Sequence, residues 1–252
     1  MKILAINGSH HRGNTYSVLN TIQEHFPDIE YELLNLHEAN LEQCRGCYVC
    51  IAKGEQYCPH KDDRDTIIQK MSEADGIIFA SPIYVNFITS LMKQFIERVG
   101  FMSHRPPAWT FDKFAVLMAV YGGFGGKESN AYMNGIFTSF GINVVASLEL
   151  QISTKSEQEQ TYNHEQTMKA LNTLIARIQK GERNPPTMTQ LILFNLYKSI
   201  SQYAKEYFEA DYQYYQDKTD YHFDTDINPE MNMKAKQIVQ QALQKMMNPS
   251  SR

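Results

Sequence analysis

Four cysteines lie within one short segment, with the spacing Cys44-x-x-Cys47-x-x-Cys50-x(7)-Cys58. Four thiolates in a compact loop suit a 4Fe–4S cluster, and the proline that follows Cys58 is typical of ferredoxin sequences. Zinc bound by four thiolates is chemically feasible, although structural zinc sites usually use two separated cysteine pairs. A structural loop leading into a helix near Asp62 is the third alternative. A disulfide framework is not expected, because it would spread the cysteines along the chain.

A second candidate site is the segment GSHHRGNT, residues 8–15, between the first predicted strand and the first predicted helix. Backbone N–H groups at such a junction bind anions, and Ser9, Asn14 and Thr15 add neutral donors while Arg12 adds charge. The spacing nearly matches a nucleoside-triphosphate loop, but Asn14 replaces the lysine that contacts the β and γ phosphates. The segment therefore favours a single phosphate over ATP or GTP. The alternative is an ordinary polar turn with Asn14 or Thr15 as the helix cap.

Two later loops carry residues suited to a planar ligand. Pro82 fixes a rigid turn, and Tyr84 presents an aromatic ring with a polar tip. Gly122 and Gly123 let the backbone approach a ring edge and donate N–H groups to its carbonyl oxygens. Each feature also has a purely structural interpretation. Tyr84 could be a half-buried core tyrosine, and the glycines could form a flexible loop.

All three loops follow apolar runs in a chain where predicted strands and helices alternate. The predicted strands cover residues 2–6, 31–36, 76–80, 114–120 and 143–148. The predicted helices between and after them cover residues 15–26, 65–74, 90–102, 128–140 and 165–179. This alternation predicts an α/β fold, a flavodoxin-like doubly wound five-stranded parallel sheet of order 2-1-3-4-5. In such a sheet the ligand lies beyond the carboxyl ends of strands near strand 1.

The pattern changes after Gly181. Pro185-Pro186 interrupts the chain, and an apolar helical stripe follows from Leu193 to Phe208. A stretch rich in tyrosine and aspartate spans 211–226, and a last helix is predicted over 229–247. We therefore expect a main domain of residues 1–182 and a C-terminal helical, tyrosine-rich extension of residues 183–252. The extension is expected to pack on the main domain or on a second subunit.

The loops together resemble those of the flavodoxin-like NAD(P)H-dependent FMN reductases. GSHHRGNT is similar to the family's Gly-Ser-Pro-Arg-x-x-Asn-Thr loop, with His10-His11 where the family usually has Pro-Arg. Residues 80–86 and 91–98 are similar to its Ser-Pro-x-Tyr loop and Leu-Lys-x-Phe-Ile-Asp-Arg helix, and residues 121–126 to its glycine-rich loop. The cysteine spacing resembles that of iron–sulfur flavoproteins, a branch of this family, and also that of relatives without a cluster. The resemblance covers about residues 1 to 180.

The resemblance implies FMN binding, with the phosphate at residues 8–15 and the isoalloxazine ring between the two later loops. The implied FMN contacts are Ser9, Arg12, Asn14, Thr15, Pro82, Ile83, Tyr84, Asn86, Tyr121, Gly122 and Gly123. NAD(P)H would reduce the flavin by hydride transfer, and electrons would pass to a quinone, a nitro compound or a redox protein. No catalytic side chain is assigned, because the flavin carries the chemistry. A 4Fe–4S cluster on Cys44, Cys47, Cys50 and Cys58 would favour one-electron transfer to a redox protein.

The composition of the chain limits the remaining classes of function. The 252 residues include 24 basic and 28 acidic side chains, a net charge of −4, which argues against binding to nucleic acids or anionic membranes. No apolar run approaches the roughly 18 residues that a membrane helix needs. We expect a cytoplasmic homo-oligomer, a dimer or tetramer. The alternatives to an enzyme are a flavin or iron–sulfur electron carrier, disfavoured by the mild charge and the long extension, and a colourless regulatory module without flavin.

Overall fold

The apolar runs form a β-sheet in the computed structural model, which describes residues 1–154, 156–217 and 228–247. The strands are β1 (Lys2–Asn7), β2 (Glu30–Asn35), β3 (Gly76–Tyr84), β4 (Phe87–Ile88), β5 (Phe114–Tyr121) and β6 (Asn143–Gln151). Five of them are parallel in the order β2-β1-β3-β5-β6, and β4 pairs antiparallel with the end of β3. The predicted flavodoxin-like order is therefore confirmed, and the β3–β4 hairpin is an addition to it.

Helices connect the parallel strands, and most of them agree with the predicted ones. Those that connect or follow the strands are α1 (Asn14–Asn20), α2 (Ile22–His25), α4 (Arg64–Glu73), α5 (Ser90–Arg98), α6 (Gly126–Ser139) and α7 (Glu157–Lys180). The single helix predicted over 15–26 is divided at Thr21, whose hydroxyl donates to the Val18 carbonyl (2.9 Å). The helix predicted over 90–102 ends at Arg98 and continues as a 3-10 turn, Gly100–Ser103.

The central strands are buried on both faces, as their continuous apolar runs predicted. On one face Phe79 of β3 stacks on Phe137 of α6, with ring centroids 3.6 Å apart, and contacts Phe95 of α5. On the other face the strands pack against Leu19 of α1 and Leu171 of α7. Burying each such side chain contributes about 1.5–3 kcal/mol, so this core fixes the carboxyl edge of the sheet.

Contacts divide the chain into two units, each described here by itself. The first comprises Met1–Arg45, His60–Gly100 and Pro107–Arg183, and contains the sheet. The second comprises Gly46–Pro59, Phe101–Pro106 and the described residues of Asn184–Arg252. The boundary at residue 182 stays a prediction, and the second unit includes two segments from the first half of the chain.

The second unit is helical. Its helices are α3 (Val49–Ala52), α8 (Met188–Tyr203), α9 (Glu209–Asp217) and α10 (Pro229–Met247). Residues 218–226 of the predicted tyrosine-rich stretch lie outside the described residues. Across the described ranges of both units, no helix combines the length and the apolar character that crossing a membrane requires.

Candidate functional site

The loops after β1, β3 and β5 lie side by side at the carboxyl edge of the sheet, because these strands are neighbours. The Gly8 amide donates to the Ala80 carbonyl (2.8 Å), and the Thr89 hydroxyl donates to the Gly8 carbonyl (2.7 Å). The second and third loops meet at Gly125, where an added Cβ would clash with the backbone carbonyl of Asn86. We call residues 8–15, 82–87 and 121–126 the three-loop surface. It contains every predicted FMN contact.

The first loop is held in shape by its own polar groups. The Asn7 side chain donates to Asn35 Oδ1 and accepts from the Ser9 amide, both at 3.0 Å. The buried Ser9 hydroxyl donates to the His11 carbonyl at 2.7 Å, and Thr15 is buried at the start of α1. Asn7 was not among the predicted site residues. Its signal in the sequence is a polar residue that directly follows a buried strand.

Arg12, which was predicted to contact a phosphate, pairs with Glu38 in this structure. Its guanidinium donates to Glu38 (3.0 Å) and lies 5.3 Å from the centre of the Tyr16 ring, and its side chain is 63% exposed. Hydrogen bonds from Arg12 and Asn35 hold the pKa of the Glu38 carboxyl below its ordinary value. The role of Arg12 as a phosphate contact stays a prediction.

The second loop is a two-residue hairpin turn, Val85-Asn86, between the paired residues Tyr84 and Phe87. Both turn residues have positive φ, 50° at Val85 and 63° at Asn86. Such primed turns match the twist of the strands and favour glycine, asparagine and aspartate. Asn86 fits this preference, whereas a β-branched valine at positive φ is an outlier.

The third loop is open to solvent along its glycines. An added Cβ on Gly123 would meet no atom within 4 Å, and one on Gly122 only the Ile152 carbonyl at 3.9 Å. The backbone carbonyl of Tyr121, at the end of β5, accepts a hydrogen bond from the Ile152 amide (2.7 Å). Burial raises the pKa of the Tyr121 phenol. The exposed Phe124 follows the glycines. The backbone at Gly122 and Gly123 is therefore accessible to a ring edge.

The other predicted contacts differ in exposure. Pro82 is buried and Ile83 is half-buried within β3, whereas Asn14, Tyr84 and Asn86 are exposed. The three-loop surface therefore combines buried residues that are held in the sheet with exposed polar and aromatic side chains. This arrangement fits a phosphate at the first loop and a planar ring at the other two.

The four cysteines are thiols, and no disulfide joins them in the described chain. Cys44 belongs to the first unit, and Cys47, Cys50 and Cys58 belong to the second. Nowhere in the described residues do three cysteine, histidine, aspartate or glutamate side chains group as a metal site. The geometry thus gives no support to the predicted 4Fe–4S cluster, and the ligand role of these cysteines stays a prediction from spacing.

The chain leading into the cysteine segment is fixed by an ion pair in the first unit. The side chains of Arg98 and Asp62 are each 2% exposed and form a salt bridge. Both bond Glu42, whose carbonyl accepts from Arg98 (2.8 Å) and whose amide donates to Asp62 (2.8 Å). Burial disfavours ionised Asp62, but the hydrogen bonds from Arg98 and the backbone outweigh this effect and keep the pKa of Asp62 below its ordinary value. This geometry agrees with the alternative of a structural loop.

In the second unit, Arg105 is the main polar contact of the cysteine segment. Its buried guanidinium donates to the carbonyls of Cys50 (2.6 Å) and Ile51 (3.3 Å) and to the Glu55 carboxylate (2.8 Å). It also forms a salt bridge with Asp211 of α9, whose side chain is 2% exposed. No spacing in the sequence indicates this cluster, because Arg105 and Asp211 are 106 residues apart.

A cleft of about 420 Å³ lies between α1 and α7, beside the three-loop surface. Most of its lining residues have polar side chains, among them Asn14, Thr21, Asn163 and His164. Asn14 is the one predicted FMN contact among its lining residues. The cleft is therefore a neighbour of the candidate site rather than its centre.

Residues 1–157 match the family model described as NADPH-dependent FMN reductase. An iron-sulfur flavoprotein of Archaeoglobus fulgidus is 34% identical over 146 residues, which cover 56% of this chain and 64% of the relative. An iron-sulfur flavoprotein of Clostridioides difficile is 26% identical over 200 residues, which cover 77% of this chain and 86% of the relative. An NAD(P)H:quinone oxidoreductase of Solanum tuberosum is 28% identical over 116 residues, which cover 44% of this chain and 58% of the relative. The chain spans 64%, 48% and 51% of the length of three archaeal iron-sulfur flavoproteins that it matches.

Two solved structures illustrate the similarity of the fold. NAD(P)H:quinone oxidoreductase from Methanothermobacter marburgensis superimposes with a TM-score of 0.57 at 17% identity, covering 68% of this chain and 94% of that one. RosB with bound 8-demethyl-8-formylriboflavin-5′-phosphate has a TM-score of 0.56 at 16% identity, covering 90% and 91%. At these identities the comparison establishes the flavodoxin-like fold.

Proposed function

The chain belongs to the NADPH-dependent FMN reductase family, and we propose that it is a flavin oxidoreductase that binds FMN at the three-loop surface and reduces a small acceptor with NAD(P)H. The observation that carries the proposal is the joining of the three loops. Segments far apart in sequence, each predicted to contact FMN, are linked through Gly8, Thr89 and Gly125. In sheets of this order, ligands bind beyond the carboxyl ends of the strands near strand 1.

The first loop supports binding of the phosphate. The buried hydroxyl groups of Ser9 and Thr15 lie at its two ends, that of Ser9 donates to the His11 carbonyl within the loop, and Asn14 adds an exposed amide. Arg12 already pairs with Glu38, so the loop relies on neutral donors and backbone N–H groups. Neutral donors suit the single phosphate of FMN better than the triphosphate of a nucleotide.

The other two loops support binding of the ring. Tyr84 offers an exposed aromatic side chain, and the accessible backbone at Gly122 and Gly123 can donate to ring carbonyl oxygens. Bound FMN supplies the hydride and electron chemistry, while the chain binds and orients it. With a quinone as acceptor, NAD(P)H gives a hydride, solvent gives a proton, and the products are NAD(P)⁺ and the hydroquinone.

Absorbance and turnover test this function together. The purified protein, or apoprotein titrated with FMN, should show visible flavin absorbance, and NADPH should be oxidised when a quinone is added without a partner protein. Ser9→Ala should weaken FMN binding, whereas Ser72→Ala, at a half-buried serine of α4, should not. A colourless protein that fails to bind FMN would contradict the proposal. Oxidation of NADPH only with a partner protein would favour the electron-carrier alternative.

The cysteine segment carries a separate proposal, supported by its spacing and by relatives named iron-sulfur flavoproteins. On this proposal Cys44, Cys47, Cys50 and Cys58 bind a 4Fe–4S cluster, which would favour a redox protein as electron partner. Iron and sulfide assays on anaerobically purified protein decide it. Four iron atoms per chain are expected, with loss in Cys47→Ser, and iron-free protein with flavin absorbance alone would refute it.

Assembly and location complete the proposal. We expect a cytoplasmic dimer or tetramer, which light scattering and cell fractionation would check. A monomer at working concentration would refute the assembly.

A further inference from the structure

The first loop, residues 8–15, contains a single arginine or lysine, and an acid outside the loop engages it. The Arg12 guanidinium donates to Glu38, which follows β2, at 3.0 Å. The Arg12 side chain is 63% exposed, and its other neighbour is the ring of Tyr16, whose centre is 5.3 Å away. Because an ion pair between exposed side chains is weak, an anion in the first loop can compete with Glu38 for Arg12.

Glu38 is held in place by groups other than Arg12. One of its carboxylate oxygens accepts from the Asn35 side chain (3.3 Å), and His37 Nε2 lies 3.4 Å from the other. The Asn35 side chain also accepts from Asn7, whose own side chain accepts a hydrogen bond from the backbone of the first loop. Glu38 therefore keeps its position and its negative charge beside the first loop whether or not Arg12 contacts it.

A carboxylate at this position opposes a phosphate in the first loop in two ways. It occupies the arginine of the loop, and it adds a negative charge beside a ligand that itself carries a charge of about −1.5 to −2 at pH 7. Neither effect acts on the isoalloxazine ring, which the other two loops are proposed to bind. Riboflavin, which has the same ring but no phosphate, should therefore be insensitive to this carboxylate.

From these contacts we propose that Glu38 is a specificity-determining residue of the flavin site. It competes with the FMN phosphate for Arg12 and thereby reduces the preference of the protein for FMN over riboflavin. The inference rests on the proposed binding of FMN at the three-loop surface. Glu38 is a positioning residue, because it acts through Arg12, and no motif in the sequence indicates the pair, whose members are 26 residues apart.

Titration of the apoprotein with FMN and with riboflavin, followed by flavin fluorescence, tests the role of Glu38. Glu38→Gln should tighten FMN binding about threefold to tenfold and leave riboflavin binding unchanged. In the Arg12→Ala background the same substitution should lose most of its effect on FMN, because the two residues act on the phosphate as a pair.

Glu30→Gln is the matched control. Glu30 also forms an exposed ion pair, with Lys2 (3.4 Å), but it lies at the opposite end of β2, away from the first loop. This variant should bind both flavins as the wild type does.

The two flavins distinguish failure of the inference from failure of the proposed function. Equal FMN affinity in the wild type and Glu38→Gln would overturn the inference alone, and so would an equal gain for FMN and riboflavin. Weaker FMN binding by Glu38→Gln would also overturn it, because Glu38 would then orient Arg12 towards the phosphate. A wild type that binds neither flavin would overturn the proposed function as well.

Discussion

At the scale of single residues, the contact between the second and third loops depends on Gly125. Its φ is +92°, and an added Cβ would clash with the Asn86 backbone, which cannot move without distorting the hairpin. We therefore expect Gly125→Ala to lower the free energy of unfolding by about 1–3 kcal/mol. Denaturant titration measures the change. Gly135→Ala provides the control, because Gly135 lies within α6 with open space around it and alanine should stabilise the helix by about 0.5–1 kcal/mol.

The buried ion pair of Arg98 and Asp62 makes stability depend on pH. The folded-state pKa of Asp62 is below its ordinary value, so this stabilisation is complete above the unfolded-state pKa and is lost as pH falls through the folded-state value. Asp62→Asn should cost about 3–5 kcal/mol at neutral pH and should flatten the loss of stability below about pH 4. Urea unfolding from pH 7 to pH 3 tests this, with the exposed Asp112→Asn as the control. Parallel pH curves for Asp62→Asn and wild type would contradict the assignment.

At the scale of elements, periodicity and apolar runs predicted the parallel strands and the helices between them. Local hydrogen bonding explains why two elements, β3 and α7, have other bounds than predicted. β3 continues through Pro82 to Tyr84 because its end pairs with β4, a contact that no apolar run indicates. α7 begins at Glu157, well before its predicted start, because the Ser156 side chain accepts from the Glu159 amide and caps it.

Capping also determines where α8 begins. Thr187 and Gln190 form a capping box, in which the Thr187 hydroxyl accepts from the Gln190 amide and the Gln190 side chain accepts from the Thr187 amide (2.8 Å). Thr187→Ala should lower stability by about 1 kcal/mol, or roughly 2–4 °C in Tm. Thermal unfolding checks this. Thr173→Ala, at an exposed position within α7, should shift Tm by less, and equal shifts would rule out a specific capping effect.

At the scale of the whole molecule, the sequence predicted which loops lie together, because a parallel sheet places the loops at neighbouring strand ends side by side. Ser9, Tyr84 and Gly122 lie on these loops, and their contact with FMN stays a prediction. Arg105 and Asp211 were missed, because their pairing depends on tertiary structure across 106 residues. The cysteine spacing indicated four ligands, but spacing alone does not specify how the backbone folds around them.

The C-terminal extension therefore has a structural role in the second unit that can be measured. Asp211 neutralises Arg105, which in turn bonds the carbonyls of Cys50 and Ile51, so Asp211→Asn should loosen the cysteine segment. We expect a loss of about 3–5 kcal/mol in stability and faster reaction of the half-buried Cys50 and Cys58 with a thiol reagent. Mass spectrometry after timed alkylation would assign the rate of each cysteine. Glu209→Gln makes the same acid-to-amide change at an exposed site on the same helix and should leave both rates unchanged. If Asp211→Asn also left them unchanged, the extension would not hold the cysteine segment in place.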